Sequence, residues 1–139
     1  MRKFVFATMV LSAIMLAACS NDSRTLEGSW LIDSAYGTPV TIADTAFITF
    51  EEGMVKVHGC NGCNRFFGPC TVENSTISLK NLATTMMVCP DAPSEAEIMK
   101  AFAEAETYSV KESNGIDKLY LYNGDKKEVL SLTYTPETK

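Results

Sequence analysis

The most reactive side chains of this sequence form a cysteine cluster. The stretch VHGCNGCNRFFGPC places Cys60, Cys63 and Cys70 within eleven residues, and Cys89 follows later in the chain. Thiolates at this density can hold zinc, exchange disulfides or form structural bridges. A zinc ribbon needs a second close pair, but eighteen residues separate Cys70 from Cys89, and His58 is the only histidine. We therefore predict no metal site.

A redox site is the next possibility, because Cys60 and Cys63 form a Cys-x-x-Cys pair. Thioredoxin-like sites place this pair at a helix N-terminus, where the helix dipole lowers the pKa of the thiol. Here CNGC leaves a predicted strand and enters a loop of Gly and Asn, with no helical pattern after it. A c-type haem needs histidine directly after Cys63, where Asn64 stands. We predict no cofactor, and an exported oxidoreductase that uses Cys60 and Cys63 stays as an alternative.

The N-terminal segment predicts export and lipid attachment. Two basic residues precede an uncharged apolar run, Phe4–Ala18, whose fifteen residues suit a signal peptide better than a membrane span. The run leads into LAAC, which resembles the lipobox of bacterial lipoproteins. We predict a signal peptide over residues 1–18, acylation of Cys19, and a lipidated tether over residues 19–25.

Sorting and charge limit the partners. Ser20, not an acid, follows Cys19, and by resemblance to diderm lipoproteins we expect an outer-membrane anchor with the domain on the periplasmic or the outer face.

The mature chain has 139 − 18 = 121 residues, with 12 − 2 = 10 basic and 17 acidic side chains, so its net charge is 10 − 17 = −7. Nucleic acid requires a basic surface and is excluded as a partner. Residues 26–136 suffice for one domain, which we expect to be a monomer.

Alternating apolar and polar residues predict that the domain is built mainly from strands. Glu51–Gly53 is the predicted turn of an early hairpin, whose return strand directs Lys56 and His58 outward. The residues predicted to share the inward face are Trp30 and Ile32, Ile48 and Phe50, Val55 and Val57, Ile77 and Leu79, Leu119 and Leu121, and Leu130, Leu132 and Tyr134.

One helix is predicted in SEAEIMKAFAEAE. Ser94 and Glu97 have the spacing of a capping box, in which each side chain binds a free backbone N–H at the helix start. Ile98, Phe102 and Ala105 form one apolar stripe. Several strands and one helix predict a mostly β, α+β fold: a small antiparallel sheet, curled or barrel-like, with the helix packed against it.

Two uncommon motifs carry a family resemblance. GCNRFFG (residues 62–68) is followed by LATTMMVCP (residues 82–90) and then by the helix. In this order the chain resembles the META domain of HslJ-like bacterial lipoproteins over residues 26–136. The resemblance implies a lipocalin-like barrel topology with one helix. It implies association with the envelope and with stress, but no shared catalytic residue.

The resemblance also implies a disulfide pairing. The family has one cysteine in each motif, which corresponds to Cys63 and Cys89 here, so we expect a Cys63–Cys89 bridge. Cys60 and Cys70 depart from the family pattern, and an added Cys60–Cys70 bridge is the simplest account. The other motif residues that we take as site candidates are Gly62, Asn64, Arg65, Gly68, Thr85 and Met87.

Each motif side chain has a structural role as its first expectation. Asn64 can bind local backbone, while Gly62 and Gly68 permit a positive φ or close backbone approach. Arg65 could bind an anionic ligand or pair with an acid such as Glu51, and we expect the pair. The TTMM segment (residues 84–87) is predicted to be buried and slightly irregular.

These observations favour a non-enzymatic envelope lipoprotein that binds an unknown protein or small molecule, with a role in envelope stress. No G-x-S-x-G elbow is present, and no serine lies beside His58 in the sequence. The alternatives are the oxidoreductase described above and a small inhibitor of a protease or lysozyme. An exposed loop fixed by a disulfide is the feature that would favour the inhibitor.

Overall fold

The described part of the chain is a succession of short strands interrupted by one helix. The computed structural model describes residues 25–40 and 46–136, so the predicted signal peptide and the predicted acylation of Cys19 lie outside it. The elements are β1 (Gly28–Ala35), β2 (Thr38–Pro39), β3 (Ala46–Phe50), β4 (Lys56–Asn61), β5 (Arg65–Pro69), β6 (Thr71–Glu73), β7 (Thr76–Ser78), β8 (Ala83–Thr84), α1 (Glu95–Glu104), β9 (Thr107–Ser113), β10 (Ile116–Tyr122) and β11 (Glu128–Thr135).

The strands form one antiparallel sheet. Its order is β6-β7-β9-β10-β11-β1-β3-β4-β5-β8, with β2 paired to β1 outside this path. The sheet curls into a half-barrel, which confirms the predicted mostly β fold with lipocalin-like curvature. The two-residue strand β8 is the last strand at one end of this order, beyond β5.

The residues predicted to point inward are buried, except Val55 and Tyr134, of which Tyr134 is 37% exposed. Val55 is 62% exposed because the turn after β3 continues to Val55, with Met54 at a positive φ of 52°, and β4 begins only at Lys56. Val57 is buried, and Lys56 and His58 point outward as predicted. The buried indole N–H of Trp30 donates to the carbonyl of Leu26 at 2.8 Å, so this large side chain leaves no unpaired polar atom in the core.

Helix α1 packs against β11, β1 and β4, and its predicted apolar stripe is fully buried. The ring of Phe102 lies 5.1 Å from the ring of Phe66, which joins the helix to β5. The predicted capping box is wrong. Ser94 is the N-cap, but its φ of −89° and ψ of −4° are helical, and its side chain makes no cap hydrogen bond. Within the described residues, no helix has the length and apolar character needed to cross a membrane.

The short strands β2, β5, β6 and β8 and the longer strand β9 were not predicted from the sequence. β9 follows the helix and pairs along its length with β10. Asn114 and Gly115 form the turn between them, with positive φ values of 54° and 77°. An Asn-Gly pair between two strands is a strong local signal for a tight hairpin turn, so the signal was present in the sequence.

Candidate functional site

The first motif forms a tight loop between β4 and β5. The side-chain Oδ1 of Asn61 accepts the backbone N–H of Asn64 at 2.8 Å and that of Cys63 at 3.2 Å. Gly62 has a φ of 99°, which a residue with a Cβ rarely adopts. Asn61 is fully buried and was not among the predicted site residues, although its Asn-Gly neighbourhood is a turn signal.

Asn64 connects this loop to the second motif, 23 residues later. Its Oδ1 accepts the backbone N–H of Met87 at 2.7 Å and the hydroxyl of Thr85 at 2.8 Å. Its Nδ2 donates to the carbonyl of Met87 at 3.1 Å and to a carboxylate oxygen of Glu95 on α1. The side-chain amide therefore binds both backbone groups of Met87, as a neighbouring strand would. Asn64 is 3% exposed, so water cannot easily replace these bonds.

Thr85 extends the same pairing. Its backbone N–H donates to the carbonyl of Arg65 at 3.0 Å, and its hydroxyl accepts the N–H of Arg65 at 3.1 Å. The ladder between β5 and β8, in which Phe66 lies opposite Thr84, therefore continues past the end of β8.

The Cys63–Cys89 disulfide joins the same two motifs. The two Cα atoms lie 5.8 Å apart, and the predicted first bridge is confirmed. Residues 85–88, which we call the edge segment, are thus held at one end by β8, in the middle by Asn64 and at the other end by the disulfide.

The edge segment is exposed, so the prediction that TTMM is buried is wrong. Met86 is 94% exposed, Met87 56% and Val88 95%. The physical reason is that β8 is the last strand at this end of the sheet and the segment follows it. The segment is fixed by hydrogen bonds and a disulfide instead of by burial. A rigidly held, solvent-exposed apolar surface is the usual mark of an interaction site.

The outer face of β5 borders the edge segment. Phe66 points into the core, and Phe67, opposite Ala83, is 58% exposed. Arg65 is exposed on the same outer face, since residues two apart on a strand share a face. The expected pair of Arg65 with Glu51 does not form.

Glu51 binds a different residue because of the strand register. Its carboxylate lies 3.2 Å from Nδ1 of His58, and Arg65 starts β5 at the other end of the hairpin. Among the described residues, no carboxylate lies within ion-pair distance of Arg65.

Gly68 supports the edge by close packing. A Cβ at this position would lie 2.8 Å from the carbonyl oxygen of Asn81, so the chain leading into β8 passes directly over the glycine. This close approach, not a positive φ, is the reason for glycine here.

The predicted Cys60–Cys70 bridge is wrong: both are free thiols. Cys60 lies opposite Arg65, whereas Cys70 follows Pro69, which lies opposite Lys56. Cys60 and Lys56 are four residues apart on β4, which corresponds to about 13 Å along the strand, and Cys70 lies next to the Lys56 end. This distance is well beyond the roughly 7 Å between Cα atoms that a disulfide allows.

The Cys70 thiol is buried. It donates to the carbonyl of Met54 at 2.9 Å. Its pKa is raised, first by burial and then by the negative charge of Glu51, so the reactive thiolate form is disfavoured. In the described ranges, no three metal-ligating side chains converge.

The fold and this edge define a class: a curled antiparallel half-barrel with one helix, in which an asparagine and a disulfide fix an exposed edge segment. The META domain family model matches residues 23–135, and the chain belongs to this family. A structure described as the NMR structure of the protein from Burkholderia xenovorans is similar, with a TM-score of 0.63 and 20% identity over 81% of this chain and 85% of that one. At that identity the likeness shows the fold alone. No curated protein matches the chain.

Proposed function

We propose that this protein is a non-enzymatic lipoprotein of the bacterial envelope that binds another protein through its edge segment. One observation carries the proposal. The polar side chains of Asn64 and Thr85 hold the edge segment, while the side chains of Met86 and Val88 project into solvent. The motif thus shapes a surface. A role of this binding in envelope stress belongs to the same proposal and rests on the family resemblance.

The oxidoreductase alternative loses its support from the cysteine geometry. Cys63 is bonded to Cys89 and not to Cys60, so the Cys-x-x-Cys pair does not form the bridge that such an enzyme would cycle. The inhibitor stays as a second candidate, because a disulfide fixes an exposed segment here. Inhibition of lysozyme or of a serine protease by the purified protein would favour it over other kinds of partner.

The binding proposal is tested with a photocrosslinking amino acid in place of Met86, in the full chain expressed in a diderm bacterium. Ile116, 49% exposed at the start of β10, is the matched control position. We expect a discrete crosslinked species in the membrane fraction for position 86 and none for position 116. Equal labelling at both positions, or none at position 86, contradicts the proposal.

The membrane fraction of the same cells tests the anchor. We propose that acylated Cys19 holds the protein in the outer membrane, because LAAC follows a leader of the right length and Ser20 comes next. Mass spectrometry is expected to show an acylated N-terminal Cys19, and Cys19→Ser is expected to leave the membrane. Cys60→Ser, which removes a free thiol instead, keeps the protein there. Co-fractionation with inner-membrane markers would contradict the outer-membrane assignment.

A further inference from the structure

The edge segment has one bonded side and one open side. The backbone N–H groups of Thr85 and Met87 point inward, to the carbonyl of Arg65 and to Oδ1 of Asn64. Two residues apart, these inward bonds follow the pattern of an extended chain, in which successive residues direct their backbone groups to opposite sides. The N–H groups of Met86 and Val88 therefore point away from the sheet, and no hydrogen bond within the described ranges reaches either of them.

Open sheet edges with exposed apolar side chains invite another strand, and proteins usually block them with lysine, proline or a bulge. Neither lysine nor proline occurs in residues 85–88, and Pro90 follows only after the disulfide cysteine. The bonds from Asn64 and the Cys63–Cys89 bridge fix the edge before any partner arrives. A preorganised edge binds more tightly because less conformational entropy is lost on binding.

We propose that residues 84–88 accept an extended segment of a partner protein as an additional antiparallel or parallel strand beside β8. This inference rests on the proposed function and specifies its binding mode. Main-chain hydrogen bonds to Met86 and Val88 supply affinity, and the exposed side chains on both faces of the segment select the sequence that binds.

The surface around the edge defines the partner's chemistry. Met86 and Val88 lie on one face of the segment, and Met87 lies on the other face with Phe67 and Arg65, so the partner presents apolar side chains at alternate positions. An added strand would run roughly 10 Å from β5, within reach of the long side chain of Arg65. The partner segment therefore carries a carboxylate that meets this cation, although the mature chain itself is acidic, with a net charge of 10 − 17 = −7.

The position of the edge favours a protein over a lipid surface. The hydroxyl of Thr25, where the described chain begins, lies 3.7 Å from the sulfur of Met54 in the turn that precedes β4. The edge segment lies beside the loop that follows β4. The N-terminal chain and the edge segment therefore lie at opposite ends of this strand.

The test uses the mature acylated protein in detergent micelles and a phage-displayed library of random nonapeptides. We expect enriched peptides with alternating apolar residues and at least one acid. The best synthetic peptide should bind the Met86→Pro variant about tenfold more weakly than the wild type, because proline has no N–H to donate to the peptide. Proline is tolerated at a sheet edge, so the variant should still fold. Met86→Ala keeps that N–H and is the matched control, with a smaller loss. Arg65→Gln should weaken binding by up to about fivefold and reduce its salt dependence.

A second measurement does not depend on the folding of any variant. Methylating alternate backbone nitrogens of the peptide should abolish binding in one register and spare it in the other, since only every second N–H of an added strand faces β8. The absence of enriched peptides, or equal affinity for wild type and Met86→Pro, overturns the proposal. The proposal is also overturned if vesicles of phosphatidylethanolamine and phosphatidylglycerol displace the peptide from the protein. It is overturned as well if the protein forms a dimer that the Met86→Pro substitution dissociates. If crosslinking at Met86 succeeds in cells while both peptide tests fail, the proposed function stands and strand addition falls.

Discussion

Replacing Asn64 with alanine is expected to lower the free energy of unfolding by about 2–4 kcal/mol. The change removes the hydrogen bonds from its side chain to Met87, Thr85 and Glu95. Each intramolecular hydrogen bond contributes about 1 kcal/mol net, and burial at this position raises the cost of any partner left unpaired. Urea unfolding of the purified protein measures the loss.

Two variants make the Asn64 prediction specific. Asn81→Ala, at an exposed position, should change stability by less than about 0.5 kcal/mol. Asn64→Asp keeps the acceptor oxygens but places a carboxylate against Glu95. Like charges raise the pKa of this new carboxyl above its unfolded value, so the destabilisation is present above that raised pKa and is relieved as the pH falls through it. An unfolding free energy that Asn64→Ala leaves unchanged would contradict the role assigned to this side chain.

Removing the Cys63–Cys89 bridge with the double variant Cys63→Ser/Cys89→Ser is expected to cost about 3.5 kcal/mol. The chain-entropy model gives this value for a loop closed over a separation of 26 residues. The loss is large for a small domain, whose total stability is typically about 5–15 kcal/mol. Thermal or urea unfolding without reductant gives the difference, and a reductant should remove most of it by destabilising only the wild type.

Cys60→Ser is the control for the bridge, because it removes a thiol that takes part in no disulfide. We expect it to change stability by less than about 0.5 kcal/mol. Non-reducing peptide mapping should recover Cys63 linked to Cys89, with Cys60 and Cys70 alkylated. A Cys60–Cys70 peptide, or a loss from Cys60→Ser as large as that of the double variant, would contradict the pairing described here.

The sheet core was predictable because its information is local. A buried strand must place apolar residues at alternate positions, so Trp30 with Ile32 and Ile48 with Phe50 reveal the inward face without any knowledge of their partners. The helix stripe follows from the same reasoning at helical spacing. Val55 fits the alternation but is exposed, because the turn after β3 extends through Val55 and β4 begins only at Lys56.

The edge of the sheet was not predictable from local pattern. TTMM has the apolar content of a buried segment, and its exposure depends on the position of β8 at the end of the strand order. The bonds that hold it come from Asn64, 23 residues away from Met87. The family resemblance identified the residues of both motifs and the Cys63–Cys89 bridge.

Two further errors came from counting and local spacing where geometry decides. The even number of remaining cysteines suggested that Cys60 pairs with Cys70, but the β4–β5 register places them at opposite ends of the hairpin. The spacing of Ser94 and Glu97 fits a capping box, but the helical backbone of Ser94 prevents it. Sequence spacing states which residues could meet, and only the register and the backbone angles decide which of them do.

Asn64 and β5 hold the edge segment on one side and leave its other side open. Amide hydrogen exchange resolved by residue measures this directly. We expect the N–H groups of Thr85 and Met87 to exchange at least about tenfold more slowly than those of Met86 and Val88, and the protection at Met87 to disappear in Asn64→Ala. Uniformly fast exchange across residues 85–88, or protection at Met86 and Val88 in the isolated protein, would contradict the account.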